Sequence, residues 1–257
     1  QAFALSNIDD KNGSVMLQNT QAKKYTYALK QYADYKTQIL ENQFGGLLLK
    51  VNESEVWTRL IGNFNAYNVL AIYATAELLG LEKVEILRLI SDLESVSGRF
   101  QYVISGEKIT AIVDYAHTPD ALKNVLETIN SIRTKNEELI TVVGCGGDRD
   151  KTKRPKMGHI ASALSTKVIF TSDNPRSEKP EDILNDIEAG VAPQNFKKTL
   201  TIEDRKQAIK AACQMAQPND IILIAGKGHE AYQEIKGERF DFDDLKIVKE
   251  LLKQLQK

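Results

Sequence analysis

Apolar and polar positions follow three different rhythms along the chain. Over residues 1 to about 60 the apolar positions come in short β-type runs. Lys24-Tyr25-Thr26-Tyr27-Ala28-Leu29 alternates, and the segments Gln43 to Val51 and Glu55 to Leu60 read as paired strands. Asp9-Asp10-Lys11-Asn12-Gly13 is a turn signal. From about Asn65 to Leu79 the period changes. Val69, Ile72, Ala76 and Leu79 fall at helical spacing, and Gly80 supplies a C-terminal stop. A second helix is predicted from about Lys83 to Glu94, with Ser95-Val96-Ser97-Gly98 as a linker.

Beyond about residue 100 strands and helices alternate. Strands are predicted at Thr110 to Val113, Leu139 to Val143, Lys167 to Thr171 and Ile221 to Ala225. The last three are nearly continuous apolar runs, as strands buried on both faces must be. The gaps between them leave room for helices of about 10–15 residues. The pattern predicts an α/β fold: a Rossmann-like, doubly wound, mostly parallel sheet. A hairpin from Tyr232 to Phe242 and a helix from Asp243 to Leu255 close the chain.

Composition narrows the classes. The 257 residues suit two modest domains or one large one, and 42% hydrophobic with 27% charged residues is ordinary globular usage. Lys and Arg number 34 against 35 Asp and Glu, so a dedicated nucleic-acid binder is not expected. The two cysteines, Cys145 and Cys213, form no Cys-x-x-Cys pair, which argues against structural zinc and fits a reducing cytoplasmic setting. No apolar run reaches the ~18 residues of a membrane span, and no signal peptide opens the chain. The chain starts at Gln1 without a methionine, which reads as a trimmed or partial sequence.

Four loops directly follow the predicted strands, and each is rich in polar chemistry. They are Asp114 to Asp120, Gly144 to Pro155, Ser172 to Glu178, and Gly226-Lys227-Gly228-His229-Glu230. If the strands are parallel, all four lie on one edge, where open α/β sheets bind ligands. Between Gly146 and Lys156, five cations (Arg149, Lys151, Lys153, Arg154, Lys156) face two anions (Asp148, Asp150), a local +3 that suits phosphate or carboxylate. In Asp173-Asn174-Pro175-Arg176 the arginine can clamp a carboxylate while Asp173 and Asn174 orient an ammonium; alternatively the segment is a plain turn. His117 and His229 are candidate bases or structural histidines, and Glu230 is a ligand contact or a helix cap. Cys145 reads as a small loop residue. Asn65 and Asn68 flank a helix start; one serves as a cap and the other as a contact to a base or ribose. Arg99 is a linker arginine or reaches a ligand.

Six pieces in this order resemble the Mur ligase family, and within it the branch that adds the third amino acid to the peptidoglycan precursor. They are Gly62 to Asn68, Gly98-Arg99-Phe100, Asp114 to Asp120, Gly144 to Pro155, Asp173 to Arg176 and Ala225 to Glu230. The resemblance implies that residues 1–97 are the C-terminal part of the central, ATP-binding α/β domain. Residues 98–257 are then the Rossmann-like C-terminal domain. It implies that Asp173, Asn174, Pro175 and Arg176 recognise meso-diaminopimelate, with Arg149, Gly226 and Glu230 as further contacts. Asn65, Arg99, Asp114 and His117 fall on the ATP side, His117 being also the one catalytic candidate. The cofactors implied are ATP and Mg2+, with metal ligands unassigned. The partners implied are UDP-N-acetylmuramoyl-L-Ala-D-Glu and meso-diaminopimelate, joined through an acyl phosphate. A cytoplasmic monomer without nucleic-acid or membrane partners is expected. A lysine-adding relative, a folylpolyglutamate synthase-like ligase and a non-catalytic binding module are the alternatives. No Gly-x-x-x-x-Gly-Lys-Ser/Thr phosphate loop occurs in the sequence, so this chain is not expected to ligate on its own.

Overall fold

The computed structural model describes residues 2–134 and 136–257. They form two compact units, residues 1–95 and 96–257.

The first unit is built on a five-stranded sheet in chain order. Its strands are β1 (Phe3–Asn7), β2 (Lys23–Ala28), β3 (Tyr35–Gln43), β4 (Gly46–Val51) and β5 (Ser54–Thr58), with one short turn of helix, α1 (Gly13–Met16), after β1. β1, β2 and β3 run parallel; β3, β4 and β5 run antiparallel. β4 alternates cleanly, so Leu47, Leu49 and Val51 point into one core. Two helices close that core. From α2 (Asn63–Leu78) come Val69, Leu70 and Tyr73; from α3 (Lys83–Ser91) come Ile86 and Ile90. α2 ends as its sequence predicts: Gly80 takes φ +91°, and Leu81 N–H donates to the Ala76 carbonyl.

Two strands of this unit, β1 and β3, have no counterpart in the sequence pattern. β3 slips register between Ile39 and Glu41, and this bulge interrupts the alternation that would have marked it. β1 is mostly half-buried, so its Phe-Ala-Leu-Ser-Asn run carries a weak period.

In the second unit the strands are β6 (Gln101–Ile104), β7 (Thr110–Asp114), β8 (Leu139–Val143), β9 (Lys167–Phe170), β10 (Thr199–Thr201) and β11 (Ile221–Ala225). They are ordered β10-β9-β8-β11-β7-β6, all parallel except the edge strand β6. β7, β8 and β11 are buried along their whole length, which explains their continuous apolar sequence. Helices α4 (Pro119–Ile132), α5 (Lys153–Leu164) and α6 (Pro180–Glu188) pack side by side. A second layer is formed by α7 (Arg205–Met215) and α8 (Asp244–Gln254), which share a core with Ile222 and Ile224 of β11. This is the doubly wound, Rossmann-like α/β arrangement the pattern predicts. A hairpin, β12 (Tyr232–Ile235) and β13 (Glu238–Asp241), precedes α8. Helix starts are locally encoded: Thr118, Asp204 and Asp243 each accept a backbone N–H in the first turn of α4, α7 and α8. Among the described residues no helix is long and apolar enough to cross a membrane.

Candidate functional site

Because β7, β8, β9 and β11 are parallel, the four polar loops leave the same edge of the second sheet. Backbone proximity then decides what each loop can carry. Gly226 follows β11 with φ +116°, and a Cβ there would lie 2.6 Å from Asp173 Oδ2. Glycine is what allows the β11 loop to run directly past the Asp173 carboxylate.

A polar cage forms at this crossing. Asp173 is 5% exposed, Asn174 3% and Lys227 0%. Lys227 Nζ donates to Asn174 Oδ1 at 2.9 Å, and lies 3.4 Å from Glu230 Oε2 and 3.6 Å from Asp173 Oδ1. Asn174 Nδ2 donates to Glu230 Oε2 at 2.9 Å, and Asn174 Oδ1 also accepts the Glu234 N–H. Gln233 Nε2 donates to the Asp173 carbonyl, so β12 helps hold the loop. Below the cage, Arg205 of α7 and Asp244 of α8 form a fully buried bidentate pair at 2.9 and 2.7 Å. Arg205 Nη2 also donates to the Ala225 carbonyl at the end of β11. Burial opposes the Arg205 charge, but the Asp244 carboxylate outweighs it, so its pKa rises.

Arg176 sits beside the cage with φ +52°. Its Nη1 donates to the Gly147 carbonyl at 2.8 Å, and its Nε lies 3.6 Å from Glu234 Oε2. Its backbone bridges to β12 through the Glu234 carbonyl and the Lys236 N–H. Pro175 is buried, and the Asn174 carbonyl accepts the Gly147 N–H, so this loop and the β8 loop are zipped together. Arg149 lies exposed in the β8 loop, with one long hydrogen bond of 3.4 Å to the Asp148 carbonyl.

The local +3 of the β8 loop is not a free basic surface. Arg154 has no exposed side-chain area and pairs with Glu178 and Asp186. Lys151 also pairs with Glu178, and Lys153 donates to the His117 carbonyl. The cations that charge counting assigns to a ligand are largely used to hold loops. Glu178 collects two Arg154 hydrogen bonds and the Asp148 N–H, and Arg154 above all holds its carboxyl down at about 2. Ser177, through its hydroxyl and N–H, lowers Asp148 in the same way.

A second cluster surrounds Tyr115. The Arg99 guanidinium lies 4.9 Å from its ring centre, with the rings of His117 and His229 at 4.5 and 5.3 Å. His117 Nδ1 is 2.8 Å from the Tyr115 carbonyl, an acceptor only, so Nδ1 is the donor of this bond. Asp114 is buried, and its two oxygens accept the N–H groups of Phe100 and Ala116. Burial raises its pKa; those two N–H groups offset it only in part. Gly98 packs so closely that a Cβ would lie 2.0 Å from the His229 nitrogen.

Asn65, like Asn68 beside it, belongs to the first unit, and the other candidates to the second. Asn65 does not cap α2 through its side chain; its Nδ2 donates back to the Ile61 carbonyl, and its Oδ1 accepts from Asn68. Cys145 and Cys213 are both buried free thiols, and burial pushes each up to about 12, so neither is a nucleophile. Among the described residues no three His, Cys, Asp or Glu side chains are grouped to hold a metal.

Of the seven residues the sequence assigns to the amino acid, Asp173, Asn174, Pro175, Arg176, Gly226 and Glu230 come together at this crossing, and Arg149 lies exposed in the β8 loop. Lys227, Gln233, Glu234, Glu178 and Tyr115 were not given roles. Lys227 and Tyr115 stand inside the motifs already noted. Glu234 and Gln233 come from a hairpin whose docking no local pattern encodes. Taken together, the edge sets two carboxylates and a carboxamide, gathered by the Lys227 ammonium, beside the Arg176 guanidinium. That is the complement of a zwitterion.

Residues 98–228 match the family "Mur ligase, glutamate ligase domain", and residues 1–76 match "Mur ligase middle domain". The chain is similar to proteins named UDP-N-acetylmuramoyl-L-alanyl-D-glutamate–2,6-diaminopimelate ligase. The Cytophaga hutchinsonii protein is 57% identical over 100% of this chain and 52% of its own length; that of Bacteroides thetaiotaomicron is 52% identical over 97% and 52%. A solved structure of a protein of that name is 37% identical, with TM-score 0.71 over 99% of this chain and 54% of the other. The chain thus spans about half the length of these relatives. By these matches the chain belongs to the Mur ligase family.

Proposed function

We propose that this chain carries the amino-acid site, and part of the nucleotide site, of a cytoplasmic ATP-dependent ligase of peptidoglycan synthesis. The whole enzyme would join meso-diaminopimelate to UDP-N-acetylmuramoyl-L-Ala-D-Glu. Residues 1–97 would be the end of the central domain and residues 98–257 the amino-acid domain, acting as a monomer. The observation that carries this reading is the cage of Asp173, Asn174, Lys227 and Glu230 beside Arg176. The relatives' names give the substrate class.

Diaminopimelate differs from lysine by a second amino-acid end. Asp173 and Glu230 would receive its ammonium, and Arg176 and Arg149 its carboxylate. Lysine would leave the arginine without its partner, a loss that polar sites punish strongly. Pro175 and Gly226 shape the loops. ATP, when bound, supplies the phosphoryl group that turns the glutamate carboxylate into an acyl phosphate. The other amino group of diaminopimelate, unprotonated, would then form the C–N bond and release a proton as the C–O bond breaks and phosphate leaves. On the second unit Arg99 and Tyr115 would face the nucleotide, with Asp114 and His117 shaping its surroundings; Asn65, on the first unit, is the further nucleotide-side candidate. Mg2+ would come with the ATP phosphates, since such sites use only one or two protein carboxylates.

Calorimetric titration with meso-diaminopimelate and, in parallel, L-lysine tests the reading. Heat with the first only is expected, and Arg176→Ala should remove it. Equal binding of both amino acids, or an unaffected Arg176→Ala variant, would refute the assignment.

A further inference from the structure

Burying an ammonium is unfavourable unless acceptors surround it, so a lysine with no exposed side chain needs a reason. Lys227 is such a residue, although it stands two positions before the exposed His229. Packing alone would be served by methionine. What lysine adds is direction. Its Nζ and the Glu234 N–H both point at one atom of the Asn174 side chain. Both are donors, so that atom is the oxygen, and Nδ2 is turned toward Glu230. Glu230 receives Nδ2 and Nζ on the same oxygen, Oε2, which leaves Oε1 for a ligand. Asp173 is met at Oδ1, with Oδ2 on the Gly226 side. The Tyr232 ring, 5.6 Å from Nζ, covers the remaining approach.

We infer that Lys227 is a positioning residue of the amino-acid site. Without reaching the ligand, its ammonium fixes the Asn174 amide, so that Nδ2 holds Glu230, and thereby sets which oxygens of Glu230 and Asp173 meet the incoming ammonium. It also cancels one of the two carboxylate charges, so the pocket takes a single cation. The inference rests on the reading of this site as the meso-diaminopimelate site.

The test uses the 257-residue chain and its Lys227→Met variant. The Kd for meso-diaminopimelate should rise at least tenfold while thermal unfolding stays cooperative. A change under twofold overturns the inference. A spectroscopic readout on the free protein separates positioning from bulk. The Asn174 side-chain amide protons should be protected from exchange in the unsubstituted chain and released in Lys227→Met; equal protection in both overturns it. Should the variant not fold, the unsubstituted protein labelled with 15N-lysine decides. One slowly exchanging ammonium signal should be present, and meso-diaminopimelate should shift it. Exchange as fast as that of surface lysines overturns the inference. If the unsubstituted chain gives no heat with meso-diaminopimelate, the functional reading fails instead, and amide protection alone judges the cage.

Discussion

Glu178 ties two loops that sequence spacing alone would leave independent. Its carboxylate takes both Arg154 terminal nitrogens from α5 and the Asp148 N–H of the β8 loop. The loop that carries Arg149 is thereby fastened to the loop that carries Arg176. The Arg154 guanidinium lowers Glu178 from 4.5 to about 2. A depressed carboxyl stabilises the fold above its unfolded pKa, and that contribution is lost as pH falls from 4.5 toward 2. The shift is worth roughly 3 kcal/mol at neutral pH before solvent screening reduces it. Glu178→Gln should therefore unfold at lower urea than the parent at pH 7, and the two curves should converge near pH 2. A gap that persists at pH 2 would mean that shape, not charge, holds the loops. None of this was visible in the sequence. The cation count of the β8 loop was correct, but charge counting cannot see that Arg154 is buried and already paired.

Elements whose sequence period matches their burial were legible. β7, β8, β9 and β11 were readable because both faces are covered, and their parallel order put four polar loops on one edge. β3 and β10 were not, one for its bulge and the other for its three residues. What holds the elements together was less legible still. Arg205 begins α7 and Asp244 begins α8, 39 residues apart, and no local pattern pairs them. Their contact anchors both helices and the carbonyl that ends β11. Removing one partner leaves an uncompensated buried charge, which costs about 3–5 kcal/mol. Asp244→Ala should lower the chemical-denaturation stability by that amount, whereas Arg205→Met with Asp244→Leu should lose much less. Equal losses in the single and the double variant would show that α8 is held by its apolar face instead.

At the scale of the molecule, each residue assigned to the amino acid lies in the second unit. That unit has its own core, in which Ile140, Val142, Ile222 and Ile224 of the sheet meet Ile209 of α7 and Val248 and Leu251 of α8. Lys257 caps the end of α7 by donating to the carbonyls of Cys213, Gln214 and Ala216. With about 160 residues, such a domain lies in the size range that folds independently. The first unit has a separate core of Leu47, Leu49, Val69, Leu70 and Ile86. It contributes no amino-acid contact, only nucleotide-side candidates, Asn65 with Asn68 beside it. Residues 96–257 expressed alone should therefore unfold cooperatively and bind meso-diaminopimelate with the Kd of the 257-residue chain, within about threefold, or 0.6 kcal/mol. Circular dichroism melts and the same calorimetric titration read both quantities. A folded 96–257 domain that binds tenfold more weakly would place part of the amino-acid site on residues 1–95. An unfolded one would make the first unit part of the second unit's stability.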